Sequence, residues 1–66
     1  MKSEEIEAMY SKLFDMCDEA DACDDRFEAQ ALIGRVYAVL QGLDEETTLN
    51  QRIEAVSAVS ARRFGL

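Results

Sequence analysis

The sequence predicts an all-α fold, a small antiparallel three-helix bundle. Three observations carry this expectation. Proline is absent and only three of the 66 residues are glycine, so little interrupts a helix. Apolar residues recur at spacings of three, four and seven in three segments. Each segment is flanked by residues that cap or stop helices. At this length one domain over 1–66 is expected, without linker, repeat or low-complexity tract.

The first helix is expected over about 3–23. Ser3 suits the N-cap, where its hydroxyl accepts an orphan backbone N–H. Glu4, Glu5 and Glu7 follow at the positive end of the helix dipole. Ile6, Met9, Tyr10, Leu13, Met16, Cys17, Ala20 and Cys23 form one broad apolar stripe, and Phe14 falls off it. A break is expected around Asp21–Asp25, because Asp disfavours helix interiors and favours caps.

The second helix is expected over about 25–41. Asp25 followed by Glu28 resembles a capping box with Asp in the first place. Apolar residues surround this helix nearly completely, which predicts a helix buried on more than one side, between the other two. Gly42 suits a left-handed C-terminal position, with Leu43 folding back onto the last turn. The third helix is expected over about 48–63. Thr48-Leu49-Asn50-Gln51 matches the capping box, Leu49, Ile53, Val56 and Val59 or Ser60 form the stripe, and Arg62 and Arg63 sit at the negative dipole end.

The charge is unevenly placed. The net charge is −7. Residues 1–28 hold ten carboxylates against three cations, whereas residues 29–66 hold four of each. Like charges three or four apart, such as Asp15–Asp18 and Asp15–Glu19, each cost a helix ~0.2–0.5 kcal/mol. A short chain has little stability to spare, so the cluster is expected to serve something besides folding. A continuous helix from Glu4 to Asp25 spans ~33 Å and carries a carboxylate every ~3.7 Å, close to the ~3.4 Å spacing of phosphates along one DNA strand.

Enzymatic classes fare poorly. There is no His, hence no imidazole base or ligand. Ser57 and Ser60 lack a base partner. Asp15, Asp18, Asp21 and Asp24 recur every third residue, unlike the alternate-position ligands of a calcium loop. Asp24-Asp25-Arg26-Phe27-Glu28 has the letters of a magnesium-binding D-D-x-x-E motif, but the capping reading suits this short chain better. Cys17 and Cys23 are too few for zinc and too far apart on one helix for a disulfide, so reduced thiols in a cytosolic core are expected. No metal or cofactor is expected. No apolar run reaches membrane-span length and the N-terminus has no signal-peptide pattern, so a cytoplasmic protein with no membrane partner is expected.

The expected function is that of a non-enzymatic acidic binding protein. Asp15, Asp18, Glu19, Asp21, Asp24 and Asp25, with Glu4 and Glu7 as outer contacts, are the candidate partner-binding residues. The partner is expected to be a basic protein or nucleoprotein complex, inhibited at its nucleic-acid-binding surface. Direct nucleic-acid binding is disfavoured by the same charge. A rival expectation is a structural or assembly adaptor that self-associates, as a homodimer, or binds a partner helix. Its apolar interface would use the surplus residues Tyr10, Phe14, Ile33, Val39 and Phe64. A third is a small regulator that neutralises a basic toxin. In type, a chain this small, acidic and helical resembles phage-encoded inhibitors of host nucleases and CRISPR complexes, which implies inhibition by nucleic-acid mimicry.

Overall fold

In the computed structural model, which describes residues 1–65, the chain forms a small all-helical bundle of three helices: α1 (Ser3–Ala22), α2 (Arg26–Glu46) and α3 (Leu49–Phe64). Their boundaries follow local chemistry. Asp25 caps α2, its Oδ1 accepting from the Phe27 N–H at 2.9 Å. The capping box of α3 is complete. Gln51 N–H donates to Thr48 Oγ1 at 3.2 Å, and Thr48 N–H donates to Gln51 Oε1 at 2.8 Å. Gly65 ends α3 in the left-handed conformation, φ 70°, where a side chain is disfavoured.

Two boundaries depart from expectation. Lys2 rather than Ser3 is the N-cap of α1, without a side-chain bond, and Ser3 lies in the first turn. More consequentially, α2 runs through Gly42 to Glu46. Gly42 has no positive φ, so it is an ordinary helical residue. The helix continues because Leu43 is needed inside: it is fully buried in the core. Its end is then closed by α3. The Arg52 guanidinium donates to the Thr47 carbonyl at 2.9 Å and the Asp44 carbonyl at 3.3 Å, and its other nitrogen meets Asp44 Oδ1 at 3.1 Å. A cation thus takes up the orphan carbonyls that a left-handed glycine was expected to satisfy.

The core is Ile6, Tyr10 and Leu13 of α1, Leu43 of α2, and Ala55 and Val59 of α3. Met9, Phe14, Met16, Val36, Val39 and Val56 pack around it. The central helix is therefore α1, which packs on both others, while α2 and α3 contact each other only weakly. This corrects the expectation that α2 lies in the middle. The apolar residues of α2 are spread around its axis, so only one strip of them can meet α1; those of α1 are concentrated and serve two neighbours. In α3 the buried face is Ala55 and Val59, and the expected stripe residues Leu49 and Ile53 face solvent. Small residues at the contact let α3 approach α1 closely. Cys17, expected in the core, is exposed, and Cys23 is half-buried.

The bundle is splayed. Its principal extents are 35 × 29 × 14 Å and its radius of gyration is 12.5 Å, against about 11 Å for a compact domain of this length. Among the described residues no helix is long and apolar enough to cross a membrane.

Candidate protein-binding surfaces

The last turn of α3 lies across the middle of α1. Arg62 pairs with Glu7. Arg63 forks the other way, one nitrogen 2.9 Å from Asp15 Oδ1 and the other 3.0 Å from Asp18 Oδ2. Its carbon Cζ stands 5.4 Å from the centre of the Phe14 ring, and Phe64 meets that ring edge-on at 6.0 Å. Arg63 is thus held by two carboxylates and an aromatic face at once. The hydrogen bond to Asp15, and behind it the charges of Asp15 and Asp18, raise the Arg63 pKa above its ordinary value, so it stays charged. An open groove of about 400 Å³ runs alongside, lined by Glu4, Glu7, Ser11, Val59, Arg62 and Arg63.

This clamp divides the expected acidic site. Glu7, Asp15 and Asp18 are taken up within the chain by α3. Asp25 caps α2. Glu4, Glu19, Asp21 and Asp24 are exposed and, among the described residues, lie in no ion pair. Glu4 stands at the start of α1, whereas Glu19, Asp21 and Asp24 lie together where α1 stops and α2 begins. Glu28 joins them there, accepting a weak bond from Cys23 Sγ at 3.5 Å. Asp21 does not break α1, which continues through Ala22. Arg26 and Arg35 are the nearby cations. Arg35 lines a groove between α1 and α2 with Glu19 and Glu28, beyond ion-pair distance.

One residue of this end was not foreseen. Phe27, one of the apolar residues counted on the second helix, is 80% exposed. Its signal was present, since it follows an N-cap aspartate with acids on both sides, and the first turn of a splayed helix extends past the core. Among the described residues, no three His, Cys, Asp or Glu side chains converge as a metal ion needs.

The chain matches no known protein family model, curated protein or solved structure.

The expected apolar surface also redistributes. Tyr10 is buried in the core, and Val39 packs against it, so neither belongs to an interface. Phe14 is half-buried and spends one face on Phe64 and Arg63. Ile33 does face solvent, and Tyr37 and Leu40 face it as well. These last two were passed over because α2 was taken as the middle helix.

Proposed function

We propose that this is a non-enzymatic binding protein whose acidic end docks on a basic surface of a larger protein or nucleoprotein complex and blocks it in the manner of a nucleic-acid mimic. The observation that supports this reading is the sorting of charge by the fold. Arg62 and Arg63 neutralise the middle of α1, while Glu19, Asp21 and Asp24 are left in solvent. Uncompensated carboxylates at one end raise the local negative potential that a Lys/Arg groove recognises. Phe27, standing among them, has the exposure and size of an anchoring residue. The docking residues are therefore Glu19, Asp21, Asp24 and Glu28 around Phe27, with Glu4 outside this cluster.

The test is capture of a partner from lysate by the tagged protein. A basic protein held at low salt and released as the Debye length shrinks from ~10 Å at 0.1 M to ~3 Å at 1 M is the expected result. Asp21→Lys with Asp24→Lys should abolish capture, and Phe27→Ala should weaken it. Capture unaffected by the double charge reversal would refute the reading.

A second reading, an assembly adaptor, is favoured by a different observation: α2 leaves Ile33, Tyr37 and Leu40 exposed, far from the core it helps to build.

A further inference from the structure

We infer that a second copy of this chain covers the outer face of α2, the two helices lying antiparallel across a two-fold axis between Ile33 and Tyr37. The inference is independent of the acidic end, because it rests on other residues and other physics.

The first observation is area. The chain exposes 4922 Å², whereas a compact monomer of 7.4 kDa exposes about 4200 Å². The excess, about 700 Å², is close to the ~800 Å² that each partner contributes to a stable interface of standard size. Three of the exposed large apolar side chains, Ile33 at 46%, Tyr37 at 69% and Leu40 at 38%, lie together on α2.

The second observation is the pattern. At 100° per residue, Arg26, Gln30, Ile33, Tyr37, Leu40 and Asp44 fall within about 80° of the helix circumference. Their spacing alternates four and three, the spacing of a two-helix seam. Read backwards, the series is its own complement. An antiparallel copy sets Ile33 against Tyr37, Gln30 against Leu40, and Arg26 against Asp44, each contact made twice. The apolar pairs fall in the middle and the opposite charges at the ends. Sliding the copy by one seven-residue repeat sets Asp44 against Ile33, which strands a carboxylate on an apolar side chain. Sliding it the other way sets Arg26 against Tyr37, so either shift loses both Arg26–Asp44 pairs, and those pairs favour the unshifted register. Asp44 holds Arg52 within its own chain, yet its side chain remains 74% exposed and its second oxygen is free for a partner.

The third observation is Gly34. It lies inside α2, where glycine weakens a helix. A Cβ placed there meets nothing within 4 Å, so no contact in the single chain requires its absence. It borders the ridge beside the proposed two-fold axis, where two copies of the backbone come closest. Phe27 projects about a quarter turn away from the ridge, so pairing leaves the acidic end accessible.

Sedimentation equilibrium of the whole chain from about 10 µM to about 1 mM tests this. A monomer–dimer equilibrium that persists at high salt is expected. Tyr37→Glu should give a monomer throughout, with far-UV circular dichroism showing the helices retained. Should that variant unfold, the charge variants still decide the matter. Arg26→Asp alone, and Asp44→Arg alone, should each weaken the homodimer by about fivefold, two surface ion pairs being lost per dimer. Mixing the two variants should restore association, because the mixed antiparallel pair regains both bridges. A strict monomer at the highest concentration overturns the inference, and so does a dimer indifferent to all three substitutions. A partner protein that binds the Ile33–Leu40 ridge while the chain alone stays monomeric overturns it in favour of a heterologous partner. None of these outcomes bears on capture through Asp21 and Asp24.

Discussion

Leu43 and Leu40 are one helical turn apart in α2, and their truncation should have very different costs. Leu43 is completely buried in the core, whereas Leu40, about 60° away around the helix, is 38% exposed. Leu43→Ala removes three carbons from the core. At ~0.8 kcal/mol per buried carbon the transfer loss alone is about 2.4 kcal/mol, and the cavity left behind brings the total to about 3–4 kcal/mol. A chain of 66 residues has about 3–10 kcal/mol of stability in all. The substitution therefore removes a third or more of it, and at ~4–8 °C per kcal/mol the midpoint should fall by about 12–32 °C. Leu40→Ala, measured on dilute protein where self-association is negligible, should cost about 1.5 kcal/mol, because its three carbons are only partly buried and leave no enclosed cavity. Thermal unfolding followed by far-UV circular dichroism measures both. Equal shifts for the two variants, or a shift for Leu43→Ala of only a few degrees, would refute the assignment of Leu43 as the residue that holds α2 to the core.

Gly42→Ala should stabilise the protein by about 0.5–1 kcal/mol, because the position is helical and a Cβ there has open space; a loss of stability in the same melt would mean a left-handed cap after all. Arg52→Ala should cost about 1.5–3 kcal/mol, since its guanidinium serves several acceptors at the end of α2. Amide exchange at residues 44–47 should accelerate first, and uniform acceleration throughout the chain would count against a capping role. Arg63→Gln should lower stability only slightly through its exposed ion pairs, and less at high salt. A pKa raised on folding gives stability that is complete below the unfolded value and lost only as pH climbs through the folded one. For a guanidinium this window is strongly alkaline, so the difference from wild type should be constant from neutral to mildly alkaline pH; denaturant titrations at two such pH values check this.

The helices were legible because their signals are local. Thr48 with Gln51 and Asp25 before Phe27 act within a single turn; the box at Thr48 is complete, whereas Asp25 caps with its own carboxylate alone and Glu28 does not close the box. What the sequence hid was the choice of central helix. Periodicity shows which residues of a helix are apolar but not how many neighbours that helix will have. Tyr10 looked surplus beside a narrow stripe and is buried; Leu49 and Ile53 looked like core and are exposed. The end of α2 was misplaced for a related reason: the group that closes it, Arg52, comes from another helix. At the acidic surface the sequence shows the carboxylates only as a run of negative charge. Their division into paired and unpaired sets was invisible, because Arg62 and Arg63 are distant in sequence and their reach depends on how α3 crosses α1.

That crossing bears on how the chain is made. The clamp joins positions 45 and 55 residues apart, with the acidic partners in the first helix and the arginines in the last turn. During synthesis α1 emerges with its repelling carboxylates long before their counter-ions exist. Neither Val59 nor the two arginines can reach it until α3 has been made. The first helix is thus a waiting template rather than a nucleus, and α2 is the neighbour that arrives first to hold it in the interim. A ribosome stalled before Arg62 would present an acidic helix with its charge fully displayed, so the sorted surface appears only once α3 is complete.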